Sequence, residues 1–154
     1  MPLQSPPNRL SPDLLQGLGD IKSIRAFPKG VALFRQGEMA AGLYVVQSGA
    51  VRILLQTAQN QKQLLEMAGP GSVLGLSESM SGESHRITAE AGADTTAVFI
   101  PADKLLTFLG EHSDFSMQIV RLLSEELHGL YGKFRNISSH PGRPRQRQLD
   151  QQLN

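Results

Sequence analysis

The sequence predicts a mainly β barrel or roll with flanking helices. Between about residues 23 and 100 the chain consists of short runs rich in Val, Ile, Leu and Phe, separated by glycines. This spacing is typical of short strands joined by tight turns. On both sides of that region the apolar residues follow the helical period instead. With 154 residues, the chain is long enough to bury one hydrophobic core.

A short helix is predicted before the first strand. Ser11 is a candidate N-cap, and Pro12 suits the first helical position because proline has no N–H to leave unpaired there. Gly17 and Gly19 are expected to end this helix. Residues 1–10, which contain three prolines and few apolar side chains, are expected to form a flexible arm.

Eight runs are predicted as strands, a number that favours a closed barrel or roll. In the third run both alternating sets of side chains are apolar, so we expect this strand to be buried on both faces. Gly49 fits a tight turn after it. The predicted strands are Ser23–Phe27, Val31–Phe34, Leu43–Gln47, Val51–Gln56, Gln63–Met67, Ser72–Leu74, Arg86–Ala91 and Thr95–Ile100.

Two helices are predicted after Pro101, a short one that stops near Gly110 and a longer one over residues 113–137. A helix of roughly 25 residues extends about 37 Å, farther than a small roll can cover. Its apolar residues are spaced three and four apart, as in a coiled-coil seam. We therefore expect a homodimer interface, the alternative being that the stripe packs back on the barrel. The seam residues are Val120, Leu123, Leu127, Leu130, Phe134 and Ile137.

The predicted organisation is one roll with three appendages. The arm, residues 1–10, precedes the roll and its short helices over residues 11–112, and the dimerisation helix over 113–137 follows. Residues 138–154 are expected to form a disordered basic tail. Arg143, Arg145 and Arg147 could contact phosphates only in a weak, sequence-independent way, so no sequence-specific DNA binding is expected from this chain alone.

Composition excludes several classes of site. The absence of cysteine excludes disulfides, zinc–thiolate sites, cysteine-ligated iron–sulfur clusters and a thiol nucleophile. No apolar run approaches the length of a membrane span, and the N-terminus lacks the pattern of a signal peptide, so we expect a cytoplasmic protein without membrane contact. A formal net charge of +1 gives no general attraction to nucleic acid.

Two stretches carry a resemblance to the Crp/Fnr family of bacterial transcription regulators. "FPKGVALFRQGEMAAGLYVVQSGAVRI" is similar to the opening hairpins of that family, and "GPGSVLGLSESMSGESHRITAEAGADTTAVFIP" is similar to its ligand cassette. The resemblance covers roughly residues 14–137. It implies a double-stranded β-helix, a jelly-roll-like β-roll of the cyclic-nucleotide-binding domain type, followed by a long dimerisation helix. It also implies an effector-sensing role in transcription regulation.

The same resemblance identifies a candidate effector pocket. In the family a cyclic nucleotide lies inside the roll, and its buried phosphate requires backbone N–H groups and preferably an arginine. Gly75 matches the cassette glycine, but Leu76 stands in place of the ribose-binding glutamate and His85 in place of the phosphate-binding arginine. Tight binding of cAMP or cGMP is therefore not expected. The candidate pocket residues are Gly75, Leu76, Ser77, Glu78, Ser84, His85, Arg86 and Thr88.

The residues leave three functional alternatives open. The first is a homodimeric sensor domain with an unidentified small-molecule effector and no DNA-binding helix-turn-helix in this chain. The second is a ligand-free interaction protein that forms heterodimers with full-length regulators. In the third, the register slips by one residue and Arg86 binds the phosphate of a true cyclic-nucleotide ligand.

Enzymatic chemistry is not expected. His85 is the only histidine in the strand region, so the histidine pair of a cupin-type metal site cannot form, and neither a metal nor another cofactor is expected. The sequence contains no Gly-x-Ser-x-Gly elbow, and the Gly-Pro-Gly at 69–71 lacks the Lys-Ser/Thr of a P-loop. No catalytic residue is assigned.

Overall fold

The computed structural model describes residues 10–138, and for residues 128–138 it describes the backbone alone. The predicted arm and basic tail, apart from Leu10 and Ser138, lie outside the described residues. The helices are α1 (Pro12–Leu18), α2 (Leu76–Ser81), α3 (Ala102–Glu111) and α4 (Ser113–Ser138), with a 3₁₀ turn at Gly19–Ile21. The strands are β1 (Ser23–Phe27), β2 (Ala32–Phe34), β3 (Gly42–Ser48), β4 (Val51–Gln56), β5 (Lys62–Ala68), β6 (Val73–Leu74), β7 (Thr88–Ala91) and β8 (Thr95–Pro101).

All eight predicted strands are present, and their ends differ from the prediction by one or two residues. The predicted helix α1 is also confirmed, with its cap. Ser11 Oγ accepts a hydrogen bond from the N–H of Leu14 at 3.1 Å, and Pro12 occupies the first turn. Gly19 ends the helix in a positive-φ conformation, φ 53°, whereas Gly17 lies within it.

The strands form two antiparallel four-stranded sheets that face each other as a roll. The first sheet has the order β1-β8-β3-β6 and the second the order β2-β7-β4-β5. Strands β3 and β8 pair with Tyr44 opposite Phe99 and Val45 opposite Val98. The central strands β8, β3, β7 and β4 each pair with a strand on both sides, whereas the outer strands pair on one side.

Strand β3 separates two hydrophobic cores, which confirms the expected burial on both faces. Leu43 and Val45 face the helices, whereas Tyr44 and Val46 face the interior of the roll. We call the two regions the helix-side core and the interior core. The buried residues of the helix-side core are Leu10, Leu14, Leu18, Leu43, Val45, Val73, Leu76, Val98, Ile100, Leu105, Phe108, Leu109, Ile119 and Leu122. Those of the interior core are Phe27, Leu33, Phe34, Tyr44, Val46, Val51, Ile53, Ala68, Leu74, Ala89, Ala91, Ala97 and Phe99.

Helix α4 has one face on the helix-side core and another facing outward. Ile119 and Leu122 are buried in that core, and Leu123 packs against it half-buried. Val120 and Leu127 are 54% and 52% exposed. The alternative that α4 packs back on the roll therefore holds for one face, and the homodimer interface stays a prediction for the apolar stripe that faces outward. Leu123 lies closer to the packed face than the predicted seam required, and the side chains of Leu130, Phe134 and Ile137 lie outside the described residues.

Gly42 at the start of β3 is a point where the two cores leave no room for a side chain. A Cβ atom at this position would meet the carbonyl oxygen of Ile100 and would lie 2.8 Å from the ring of Phe99. We expect Gly42→Ala to lower the free energy of unfolding by about 1–3 kcal/mol, measured by chemical denaturation, because overpacking displaces β8. Gly69→Ala is the matched control, since nothing lies within 4 Å of a Cβ there. A Gly42→Ala protein as stable as the control would contradict this packing.

Candidate functional site

The cassette, residues 75–88, begins with helix α2 held between two left-handed glycines. Gly75 precedes the helix at φ 81° and Gly82 follows it at φ 74°. A Cβ on Gly75 would lie 3.0 Å from Cε1 of His85. Glycine suits this position because it adopts a positive φ readily and because it has no side chain to crowd the imidazole ring. The turn at Gly75 thus sets the direction of α2, and the ring of His85 lies next to the start of this helix.

Leu76 does not face the cassette. Its side chain is 2% exposed and lies in the helix-side core, and the half-buried Met80 packs against the same core from the next turn of α2. Burial of both apolar side chains fixes the rotation of this short helix. Glu78 and Ser79, on other faces of α2, are consequently buried although they are polar.

Glu78 is the acid at the centre of the site. It is 9% exposed, and its Oε2 accepts a hydrogen bond from Ser77 Oγ at 3.2 Å. Its Oε1 lies 3.8 Å from His85 Nδ1, too far for a hydrogen bond. Ser79 Oγ, on the same helix, is buried without a hydrogen-bond partner. Some buried polar atoms of the cassette therefore have no hydrogen-bond partner in the structure.

His85 is the most enclosed of the polar candidate residues. Its ring is 4% exposed and stacks on Phe34 with centroids 3.7 Å apart and planes at 14°. The backbone N–H of His85 donates a hydrogen bond to the carbonyl of Glu38, and its backbone carbonyl accepts one from the N–H of Gly37. Nδ1 is buried without a partner. Burial lowers the pKa of His85 below its ordinary value, an effect that the charges of Glu78 and Glu38 oppose.

The interior of the roll next to His85 is filled by aromatic rings. Tyr44 lies 6.0 Å from Phe34 and 5.0 Å from Phe99, measured between ring centroids. The guanidinium carbon of Arg25 lies 3.8 Å from the centroid of the Phe99 ring, and Arg25 Nη1 donates to the Tyr44 hydroxyl. Burial raises the pKa of Tyr44, although Arg25 opposes the effect. These contacts occupy the space between the sheets.

The remaining candidates point elsewhere. The Arg86 side chain is 67% exposed, and its Nη2 lies 3.2 Å from Glu83 Oε1 in an ion pair at the surface. Ser84 Oγ lies 3.5 Å from Met39 Sδ, and Thr88 Oγ1 accepts from the N–H of Gln36 at 2.9 Å. Of the candidate pocket residues, the structure brings together Gly75, Ser77, Glu78 and His85, and directs Leu76, Ser84, Arg86 and Thr88 to other contacts.

A further buried acid that the sequence analysis missed lies on α4, near enough to Glu78 for their charges to interact. Glu126 Oε2 is buried without a hydrogen-bond partner. Burial, together with the charge of Glu78, raises the pKa of Glu126 to about 7, and Arg86 opposes that rise. The sequence did hold a signal, because Glu126 follows Ile119 and Leu122 at helical spacing and so lies on the face of α4 that packs on the roll.

In the part of the chain that the structure describes, no three His, Asp or Glu side chains are placed to hold a metal ion. Two open surface clefts of about 290 and 360 Å³ lie among the helices, and none of their lining residues belongs to the cassette. Within residues 10–138, no helix has the length and apolar character needed to cross a membrane.

Comparison with known proteins explains this arrangement. The family described as "Cyclic nucleotide-binding domain" matches residues 24–112, which contain both sheets and the cassette. The chain belongs to this family. The transcriptional activator protein FnrA of Stutzerimonas stutzeri is 32% identical over 114 residues, 73% of this chain and 46% of FnrA. The resemblance to the Crp/Fnr regulators is thereby confirmed, and the chain spans less than half the length of this curated relative.

Solved structures show the same fold. The sensor domain of the transcriptional regulator DNR from Pseudomonas aeruginosa superposes with a TM-score of 0.65 at 26% identity, covering 86% of this chain and 85% of that one. The Thermus thermophilus catabolite activator protein gives a TM-score of 0.74 at 23% identity, covering 84% of this chain and 61% of that one. The predicted β-roll of the cyclic-nucleotide-binding type is confirmed.

The cassette of this cyclic-nucleotide-binding domain has no arginine directed inward toward a phosphate. A buried phosphate needs N–H donors or an inward guanidinium. The cassette instead presents the buried acid Glu78 and the unpartnered Nδ1 of His85, and Glu126 adds a second acid from α4. Arg86, the arginine of the cassette, is engaged with Glu83 at the surface. The Phe34–His85 stack and its aromatic neighbours lie inside the roll.

The buried imidazole gives a testable pH dependence. Because the pKa of His85 is lowered in the folded protein, the unfolded chain binds protons first, and stability is lost as the pH falls through about 6.5. His85→Phe retains the stack and removes both the titration and the unpartnered nitrogen. We expect the difference in free energy of unfolding between His85→Phe and the wild type to grow as the pH is lowered from 7.5 to about 5.

The control for this measurement is His112→Phe. His112 also stacks on a phenylalanine, Phe108, with centroids 4.0 Å apart, but it is exposed. Its replacement should leave the dependence of stability on pH as in the wild type. If the free energy of unfolding of His85→Phe differs from that of the wild type by the same amount at both ends of the pH range, burial does not set the protonation of His85.

Proposed function

We propose that the chain is the sensor module of a Crp/Fnr-type transcription regulator, that it works in the cytoplasm as a homodimer joined along α4, and that it performs no enzymatic step. Its family and its similarity to FnrA and to the DNR sensor domain support the regulatory role. The proposal covers sensing and dimerisation. FnrA is a transcriptional activator protein, and the chain spans only part of its length.

The observation that carries the dimer is the outward apolar stripe of α4. Met117, Val120 and Leu127 are each more than half exposed, and they lie three and seven residues apart along the helix. Side chains at this spacing form one continuous face. Exposing such a stripe to water is unfavourable, and a second copy of the helix covers it by knobs-into-holes packing.

The effector we propose is not a cyclic nucleotide. Each charged contact missing from the phosphate site removes about 1.5–3 kcal/mol of binding free energy, and an inward carboxylate adds repulsion. Where Glu78 and His85 converge, the Glu78 carboxyl group accepts a hydrogen bond from Ser77, and the lowered pKa of His85 favours its neutral ring, which supplies no positive charge for a phosphate. The effector chemistry therefore differs from that in a cyclic-nucleotide sensor.

The dimer interface is tested by placing charges on the exposed stripe. The double substitution Val120→Asp and Leu127→Asp puts two carboxylates in the middle of the proposed seam, where they would be desolvated and opposed by their symmetry mates. We expect the mass measured by light scattering to fall from that of a dimer to that of a monomer. The far-ultraviolet circular dichroism should be retained, because both residues are exposed in the protomer.

The matched control is Leu106→Asp. Leu106 is 47% exposed on α3, outside the proposed seam, and its replacement should leave the dimer mass unchanged. A wild-type protein that is monomeric at micromolar concentration, or a double variant that remains dimeric, would refute the interface. Monomers that associate only with full-length regulators would favour the heterodimer alternative.

The effector proposal is tested by isothermal titration with cAMP and cGMP up to about 1 mM at low salt, with the dimer mass checked in the same samples. We expect no binding heat, since a deficit of two charged contacts weakens a micromolar ligand by about a hundredfold or more. Saturable binding at micromolar concentration would show that Arg86 or backbone donors rearrange to hold the phosphate, and would overturn this part of the proposal.

A further inference from the structure

The segment between α2 and β7, residues 83–87, is held on the roll by a short ladder of backbone hydrogen bonds, and we call it the strap. It runs antiparallel to residues 37–40, which follow β2. The bonds run from Gly37 N–H to the carbonyl of His85, from His85 N–H to that of Glu38 and from Ala40 N–H to that of Glu83. Because these bonds are few, releasing the strap costs less than unfolding either sheet.

The ring of His85 is the part of the strap that reaches the interior core. It is 4% exposed and stacks on Phe34, a buried residue of that core, with centroids 3.7 Å apart. Ile87, at the other end of the strap, packs half-buried against the same core. The strap therefore covers part of the interior core, and its displacement would expose Phe34 to water.

The surroundings of the His85 ring favour its neutral form. Nδ1 is buried without a hydrogen-bond partner, and Glu78 Oε1, at 3.8 Å, is too far away for a charge-assisted hydrogen bond. The charges that favour a proton on the ring are those of Glu78 on α2 and Glu38 beside the strap. Glu83 and Arg86, on the strap itself, pair with each other at the surface. A proton on His85 thus places a positive charge in a buried site without a bonded acceptor at Nδ1.

The strap is bounded by a pivot and an anchor. Gly82, the residue before it, has a φ of 74°, and nothing lies within 4 Å of the position of a Cβ atom there. Thr88, the residue after it, begins β7, and its Oγ1 accepts a hydrogen bond from the N–H of Gln36 at 2.9 Å. A glycine with open space at one end and a paired strand at the other confine movement to the strap.

We propose that the strap is an acid-opened gate of the roll interior, in which protonation of His85 releases its ring from Phe34 and separates residues 83–87 from residues 37–40. With the gate closed, the ring is neutral and stacked. With the gate open, the imidazolium is hydrated and the interior core is accessible. The gate acts within one protomer, whereas the entry of an effector through it rests on the proposed function.

The sign of the pH dependence follows from the burial of the ring. The closed gate binds the proton on His85 less tightly than the open gate, because burial lowers the pKa of His85 below its ordinary value of 6.5. Closure is therefore fully favoured above that value and is lost as the pH falls below it. If the ring has its ordinary pKa when the gate is open, the opening equilibrium rises by up to about tenfold between pH 7.5 and pH 5.5.

The test is hydrogen exchange of the full chain at pH 7.5, 6.5 and 5.5, read by NMR at the amides of Gly37, Ala40 and His85 and corrected for the intrinsic pH dependence of exchange. Wild-type protection at these amides should fall several-fold, by up to about tenfold, over this range. The amides of β3 and β8 should keep their protection, because the opening is local. His85→Phe retains the stack and cannot be protonated, so its protection should not change with pH.

Two control variants remove other groups that titrate. His112→Phe removes the exposed histidine that stacks on Phe108, and it should keep the wild-type profile at the strap. Glu126→Gln removes a carboxyl whose pKa is about 7 and so titrates in the same range. Because Glu126 is on α4 and not among the groups that act on His85, the fall in protection should remain in this variant as well.

Wild-type protection at the strap that stays constant or rises on acidification would overturn the gate, and a rise would show that the charged ring closes on Glu78 instead. A His85→Phe protein that follows the wild-type profile would overturn it too. Should that variant fail to fold, the wild type decides alone, because the ring resonances of Phe34 should change with the same midpoint as those of His85. A gate that opens in protein shown by light scattering to be monomeric refutes only the proposed dimer.

Discussion

The pairing of β3 with β8 is the interaction on which the rest of the structure depends. Both strands are buried on their two faces, so that Leu43 and Val45 support the helices while Tyr44 and Val46 line the roll. Because protein interiors are close-packed, a shift of the residues on one face of such a strand displaces the residues packed on its other face. Gly42 shows how tightly the two layers meet at the start of β3.

The cassette differs from a phosphate site in the sign of its charges. Helix α2 turns Leu76 into the helix-side core, which leaves Glu78 buried and close to the ring of His85. The acid cannot be neutralised by Arg86, whose side chain lies at the surface with Glu83. A fold whose family is named for an anionic ligand thus carries an acidic cassette, and the chemistry of individual side chains, not the fold, decides what it can bind.

Helix α4 connects this cassette to the proposed interface because one of its faces packs on the roll and another faces outward. Ile119 and Leu122 attach it to the roll, one carboxyl oxygen of Glu126 is buried, and Val120 and Leu127 face outward. A change in how the inner face docks must alter the outer face, since one helix backbone carries both. The site and the interface are therefore mechanically linked without any additional element.

The sequence by itself determined the local structure: the eight strands, the Ser11 cap, and the burial of β3 on both faces all follow from periods, caps and turns that act over a few residues. The resemblance to the Crp/Fnr family followed from two longer stretches of sequence. Only the tertiary structure decided that Leu76 faces the core, that Arg86 points outward and that a carboxyl oxygen of Glu126 is buried. The physical reason is that packing between distant segments sets how a helix is rotated about its axis, and sequence spacing alone identifies a face but not its partner.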